Sequence, residues 1–405
     1  MSNLTDSFKS RQLWDILVVL FLLIIAMAFV PYGKLNLTYD SYDFMAASES
    51  VDIYVHGKNP EGFSYLTRSP LLPAYLYFFD NKILGAWWLN MLSLCGSILL
   101  IFKIGRALNL QDFLLYPSVI VTTMTYPWLL NHFFLWGDAP FAFLILGLTY
   151  CLIENKSFSL IVGMCVLLFL LRKAGIFFFV SASAWYLFNR EYKNALRVMA
   201  IAFGVFISWQ ILEHSYQSTG TFLNMLNDRE LYERIHYADA LTSWVIPKSI
   251  PLYLRTLIAV LLMSVIAFIY KSVLPGFLKK RINQLLMTVA LSYMICFIGF
   301  SGASGYLDAE RYLTVVLPLC MLLLFSFAHE VHATGGIHAT IFLVALMMWI
   351  IYPVSRTVYH LFRVYSTGQS NQILFYPLII NFLLMNLAII FGTEFNFVFL
   401  CQNMI

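Results

Sequence analysis

The sequence predicts an all-α polytopic membrane protein, because of its composition and the spacing of its hydrophobic runs. Apolar residues make up 60% of the 405 positions and charged residues only 11%, well outside the range of soluble domains. Apolar runs near the length of about 20 residues that crosses a bilayer as a helix recur along the chain. We expect about twelve transmembrane helices, at 14–31, 83–102, 113–130, 133–153, 157–171, 174–188, 198–212, 251–270, 284–300, 312–328, 338–353 and 372–392.

The loops between these runs predict the orientation of the chain. With a cytoplasmic amino terminus, the basic clusters at 190–197 and 271–281 fall on the inner side, provided that the chain crosses twice between 157 and 188. Two long loops, 32–82 and 213–250, then face outward. We expect a short interfacial helix in the first of them, because its apolar residues have helical spacing.

Motifs and cysteines exclude several classes of activity. The chain has no P-loop, no GxSxG motif and no HExxH motif, so it offers no site for soluble nucleotide chemistry. All six cysteines lie in or beside predicted spans, so neither disulfides nor a cysteine-ligated zinc is expected. No linker or low-complexity tract interrupts the hydrophobic segments. Residues 1–405 are therefore predicted to form a single integral membrane domain, with no metal site and no nucleic-acid partner.

Three acidic residues stand at positions suited to chemistry. Asp40 and Asp43 follow the first span in the outer loop, where a partly desolvated carboxylate is suited to act as a general base. The structural alternative is that Asp40 caps the helix that follows it. Asp138 opens a span that is otherwise uncharged. An acid at that depth is costly unless it faces a cavity or a partner, so we expect Asp138 to bind substrate.

Basic residues meet the predicted outer interface at three separate points. Arg68 precedes a proline-stiffened entry into the membrane, Arg172 and Lys173 lie at the outer end of a hairpin, and Glu310 and Arg311 begin the tenth span. The planar guanidinium of arginine grips a phosphate or carboxylate with two parallel hydrogen bonds. Each position alone would be interpreted as a snorkelling anchor. Together they predict a binding site for a polyanion.

The order of these motifs resembles that of the GT-C superfamily of membrane glycosyltransferases, which use polyprenyl-phosphate-linked sugars. The acidic segment Asp40-x-x-Asp43-Phe44-x-Ala46-Ala47 looks like the catalytic segment of that family. The stretch from Gly57 to Leu72 is similar to a loop found in enzymes of the GPI mannosyltransferase and protein mannosyltransferase type. Two later stretches resemble the basic outer-end motifs of such chains: Leu171–Gly175, and Glu310–Leu313 with Pro318 after it.

The resemblance implies an inverting transfer of a single sugar from a polyprenyl-phosphate donor to an acceptor glycan, lipid or protein, at the extracytoplasmic or lumenal face. Asp40 would deprotonate the acceptor hydroxyl, with Asp43 as the rival base, and the basic residues named above would hold the phosphate. Asp138 would match the family's second acidic position, which binds hydroxyls of the acceptor or donor. No cofactor is implied. A divalent ion would fit near Asp40 and Asp43, but most relatives of this shape do not need one.

Two other functional classes are compatible with the same residues. A non-catalytic membrane subunit, like the GT-C-shaped partner of GPI transamidase, would keep the fold without the base. A polysaccharide polymerase or flippase would also place arginines on outer loops. For the enzyme, the expected location is the plasma membrane of a prokaryote or the endoplasmic reticulum of a eukaryote.

Overall fold

A computed structural model describes residues 13–25, 33, 35, 37–49, 69–215, 231–246, 249–300 and 306–366. The described residues are 85% helical and include no β-strand. The chain divides into two compact units, 1–353 and 354–405. All contacts described below lie within the first unit, and only residues 354–366 of the second are described.

The α-helices are, in chain order, α1 Leu13–Ile25, α2 Tyr39–Glu49, α3 Leu71–Tyr77, α4 Lys82–Ala107, α5 Asp112–Met124, α6 Tyr126–Phe133, α7 Asp138–Ile153, α8 Phe158–Leu171, α9 Ile176–Phe188, α10 Tyr192–Ser215, α11 Leu231–Ser243, α12 Leu252–Ile269, α13 Leu274–Lys279, α14 Arg281–Phe300, α15 Tyr306–Thr314, α16 Leu317–Ala333 and α17 Gly336–Ser366. A 3-10 turn, Lys173–Gly175, connects α8 with α9.

Five of the described helices, α4, α10, α12, α14 and α17, are long and apolar enough to cross a membrane. The successive helices α5 and α6, bent by 57°, would form a sixth span if they cross together. Five shorter apolar helices, α1, α7, α8, α16 and the segment Lys173–Phe188, coincide with other predicted runs. The helical class and the membrane-spanning character are thus confirmed, while the count of twelve stays a prediction. The run predicted at 372–392 lies outside the described residues.

Three tight turns, between α4 and α5, α7 and α8, and α9 and α10, share one conformation. Each contains a residue with positive φ, namely Asn109 at 58°, Asn155 at 48° and Arg190 at 61°. In each turn the next N–H donates to the carbonyl five residues earlier, at 3.1, 2.9 and 2.8 Å respectively. This is the hydrogen-bond pattern of a Schellman motif, which ends a helix abruptly. The α7–α8 hairpin therefore brings the start of α7 close to the end of α8.

The short helix α2 lies where a helix was predicted in the loop 32–82, while its place at the outer interface stays a prediction. Thr38 precedes it, and the Thr38 N–H donates to Ser41 Oγ at 3.0 Å, as in a capping box. Ser41 Oγ in turn donates to the carbonyl of Leu135 at 3.1 Å. Trp136 Nε1 donates to Thr38 Oγ1 at 2.8 Å. These bonds fix the first turn of α2 against the connection between α6 and α7.

Two breaks in the helices have identifiable causes. Pro127 lies in the first turn of α6, where its missing N–H prevents α5 from continuing straight through. Arg172 is extended, with φ −150° and ψ 136°, and the following turn folds back onto α8. A Cβ on Gly175 would come within 2.2 Å of the Leu168 carbonyl carbon, so only glycine permits this close backbone approach. The second break contributes Arg172 to the site described below.

The topology can be tested with single cysteines at two exposed positions, Glu49 in α2 and Lys193 in α10. In a background with the native cysteines replaced, we expect a membrane-impermeant maleimide to label E49C in intact cells or sealed vesicles. K193C should be labelled only after permeabilisation, because the basic cluster at 190–197 is predicted to be cytoplasmic. Labelling of K193C but not of E49C from outside would show that the predicted orientation is wrong.

Candidate functional site

Four of the charged residues singled out in the sequence lie together in the structure. Asp40, Asp138, Arg172 and Arg311 come from α2, α7, the break after α8, and α15. The pair Asp40 and Arg311 is separated by 271 residues along the chain. Residues that meet across such separations depend on the whole bundle for their positions.

Asp138 is the centre of this group. Its side chain is completely buried, with 0% exposure, and its two carboxylate oxygens face two different arginines. Oδ2 accepts a hydrogen bond from Arg311 Nε at 2.6 Å, and Oδ1 forms an ion pair with Arg172 Nη1. Asp138 is also the first residue of α7, where the helix dipole stabilises a negative charge.

Arg311 is held on several sides at once. Besides its bond to Asp138, its Nη1 donates to Asp40 Oδ2 at 2.9 Å. Its guanidinium lies over the Trp136 ring, 3.9 Å from the centroid, and Trp136 stacks on Phe134 at 4.2 Å. An aromatic face attracts a guanidinium and fixes the orientation of its plane. Arg311 is therefore a pre-positioned cation with only 8% of its side chain exposed.

Arg172 is the second cation on the Asp138 carboxylate. Its guanidinium lies 4.7 Å from the centroid of Tyr312 and 5.7 Å from that of Phe141. Tyr312 is fixed in turn, because Tyr293 OH on α14 donates to its carbonyl at 3.2 Å. Arg172 therefore faces the Asp138 carboxylate through Nη1, as Arg311 does through Nε.

The four residues form an alternating chain of charges, Asp40, Arg311, Asp138 and Arg172, with a formal sum of zero. Asp40 is the most accessible member, with 24% of its side chain exposed. A buried charge is tolerated when it is paired and hydrogen-bonded, and this arrangement meets that condition for Asp138. The site can therefore bring two guanidiniums and a carboxylate into an apolar environment.

The other predicted site residues lie at the following places in the structure. Asp43 is half-buried on α2, and Glu310 is buried on α15 with 2% exposure. Lys173 lies over the Trp209 ring, 5.7 Å from its centroid. Arg68 lies outside the described residues.

Several residues of the site region could not be singled out from the sequence. Trp136 is one aromatic residue in a chain that is 17% aromatic. Asn90 on α4 donates to the carbonyls of His132 and Phe134, at 3.1 and 2.9 Å, and so satisfies the backbone where α6 ends. Asn131 is fully buried, and neither polar atom of its side chain has a hydrogen-bond partner among the described residues. The sequence offered one signal for Asn131, because a polar side chain within an apolar helix needs a partner.

Metal binding finds no ready site here. No cluster of three or more His, Cys, Asp or Glu side chains suited to a metal ion occurs in the described ranges. Asp40 and Asp138 already face arginines, which compete with any cation. The two arginines are the groups here that could bind an anion.

Replacement of Asp138 should strongly destabilise the protein. In Asp138→Ala, two buried guanidiniums lose their shared carboxylate, and removing one partner of a buried ion pair costs about 3–5 kcal/mol. The control is Lys280→Ala, which breaks the ion pair with Glu330, where 43% of the lysine side chain is exposed. Such an exposed pair contributes roughly 0–1 kcal/mol. Intrinsic fluorescence during unfolding in detergent measures the free energy of unfolding of both variants. Equal small decreases in this free energy would contradict the central role of Asp138.

Comparison with known proteins gives no assignment. No protein-family model matches the chain, and no curated protein and no solved structure shows significant similarity to it. The contacts around Asp138 are therefore the observations that bear on function.

Proposed function

We propose that this protein is an inverting glycosyltransferase that transfers a single sugar from a polyprenyl-phosphate donor at the extracytoplasmic or lumenal face of its membrane. It would have about twelve transmembrane helices and the GT-C fold, to which its motifs are similar. The membrane would be the plasma membrane in a prokaryote or the endoplasmic reticulum in a eukaryote. The acceptor would be a glycan, a lipid or a protein, and a mannosyl donor is the first choice.

The observation that carries the proposal is the pair of arginines on the buried Asp138 carboxylate. Arg172 and Arg311 each direct one guanidinium nitrogen to Asp138, and in the proposed reaction other N–H groups of the two side chains bind the donor. Arginine is the preferred residue for phosphate because its rigid fork matches two phosphate oxygens. Two guanidinium groups, fixed beside one another, suit a lipid phosphate better than an uncharged ligand.

Asp40 supplies the second requirement of the reaction, a carboxylate beside the anion site. It lies at hydrogen-bond distance from Arg311, with Oδ2 2.9 Å from Nη1, and is the most exposed of the four charged residues. In the proposed step, Asp40 takes the proton of the acceptor hydroxyl while the hydroxyl oxygen attacks the anomeric carbon. The bond between that carbon and the phosphate oxygen breaks, and its electron pair leaves with the polyprenyl phosphate. Arg172 and Arg311 stabilise the charge that develops there.

In this reaction Asp138 acts through the arginines. Both of its oxygens already face guanidinium groups, which supports a positioning role and leaves little capacity for binding sugar hydroxyls. Its burial keeps the two cations together in a region of low dielectric, where their attraction for a phosphate is stronger than in water.

One feature favours a second candidate, a non-catalytic subunit with the same fold. The four charges sum to zero and satisfy one another, so they could serve only to connect α2, α7, α8 and α15. The two candidates differ at Asp40. A structural subunit needs its charge for the ion pair with Arg311, whereas an enzyme needs its ability to accept a proton.

The test is the separate replacement of Asp40 and Asp43 by asparagine. Purified variants are supplied with mannosyl and glucosyl polyprenyl phosphates in membranes that contain the acceptor, and the release of free polyprenyl phosphate is measured. Asp40→Asn should lower turnover by roughly 10²–10⁴-fold, the usual effect of losing a general base, while the donor still binds. Asp43→Asn should have a smaller effect. Full turnover in Asp40→Asn would exclude Asp40 as the base and leave Asp43 or the non-catalytic subunit.

A further inference from the structure

Arg311 has two roles that compete in the proposed reaction. Its Nη1 donates to Asp40, and the same guanidinium is one of the two that would hold the donor phosphate. A cation this close to a carboxylate stabilises the ionised form. A general base must accept a proton during the reaction, and such a partner opposes that step.

We propose, on the basis of the function proposed above, that the donor phosphate displaces Asp40 from Arg311, so that the base is released only when the anionic donor is bound. The donor then binds before the acceptor, and proton transfer is confined to the loaded site. At Arg311 the exchange replaces a hydrogen bond to a carboxylate with one to a phosphate. Both are charge-assisted bonds of similar strength.

The geometry identifies Asp40 as the partner that leaves. Asp40 has 24% of its side chain exposed, whereas Asp138 has none. Arg311 is retained by its Nε bond to Asp138 at 2.6 Å and by the Trp136 ring at 3.9 Å. The first turn of α2 is fixed by Ser41, so in the proposed exchange the Asp40 carboxylate moves by side-chain rotation while its helix stays in place.

Proton transfer to Asp40 keeps the net charge of the loaded site constant during the reaction. The four charged side chains sum to zero, and the donor, a phosphodiester, adds one negative charge. When the sugar leaves, the polyprenyl phosphate gains a second negative charge, and Asp40 loses its own by taking the acceptor proton. The total is therefore the same before and after transfer, so no additional charge has to be buried.

The charged groups near Asp40 belong mostly to the same network. Arg311 faces it directly, Arg172 interacts with it electrostatically, and Asp138 lies on the other side of Arg311. Asp43 is on the same helix, and Glu310 precedes Arg311 on α15. The Arg311 hydrogen bond is the contact of Asp40 that the proposed exchange removes.

Carbodiimide labelling tests the exchange without any turnover. N,N′-dicyclohexylcarbodiimide reacts with protonated carboxyl groups, and peptide mass spectrometry measures the rate at Asp40 with and without undecaprenyl phosphate as the probe. We expect the lipid phosphate to raise this rate by roughly tenfold, the effect of a one-unit change in proton affinity. Asp43 on the same helix is the internal control, and undecaprenol, which has no charge, should leave both rates unchanged. In the Arg311→Gln variant, Asp40 should be labelled rapidly without lipid, and the lipid phosphate should not change that rate.

The outcomes separate the two proposals. If undecaprenyl phosphate binds, as measured by native mass spectrometry, but labelling of wild-type Asp40 is unchanged or slower, the exchange is wrong and the proposed function is unaffected. If the lipid phosphate does not bind to the wild-type protein, both proposals fail. The comparison on the wild-type protein needs no variant, so a failure of Arg311→Gln to fold does not affect the test.

Discussion

The sharing of one buried carboxylate by two arginines is the interaction on which the site depends. Asp138 has no exposure to solvent, and an isolated charge in that position would be strongly unfavourable. Arg311 and Arg172 neutralise it from either side, and Asp40 extends the chain of charges towards the surface. Each arginine would otherwise repel the other. The carboxylate therefore both requires the two cations and keeps them adjacent.

The irregular parts of the backbone allow these charged side chains to meet. A continuous helix buries its own N–H and carbonyl groups, and a membrane tolerates other backbone only where protein satisfies it. Asn90 and Ser41 satisfy the carbonyls of the connection between α6 and α7, and Gly175 allows the turn after Arg172 to fold onto α8. These local solutions place Asp138 and Arg172 at neighbouring ends of the α7–α8 hairpin.

The sequence predicted which charged residues belong to the site, but it did not predict which of them form ion pairs with each other. Asp138 and Arg172 were recognisable because a charge at the end of an apolar run is costly and needs a partner. Which partner each takes depends on packing across as many as 271 residues, and no local pattern contains that information. The predicted span at 312–328 also missed the separate helix α15, which ends at Thr314 before α16 begins at Leu317. The helical class and the short helix α2 followed from composition and spacing, because these depend on local residues alone.

The most direct measurement of the central claim is the retention of a lipid phosphate by the two arginines. Undecaprenyl phosphate is added in fixed excess to the purified protein, and native mass spectrometry records the bound fraction for the wild type, Arg172→Gln, Arg311→Gln and Arg106→Gln. Arg106, which pairs with Asp15 at the far end of α4, is the matched control. We expect binding to the wild type and to Arg106→Gln, and a loss of at least about tenfold in affinity for the two site variants, since a charge-assisted hydrogen bond contributes about 1.5–3 kcal/mol. Equal binding by all four proteins, or none by the wild type, would contradict an anion site at Asp138.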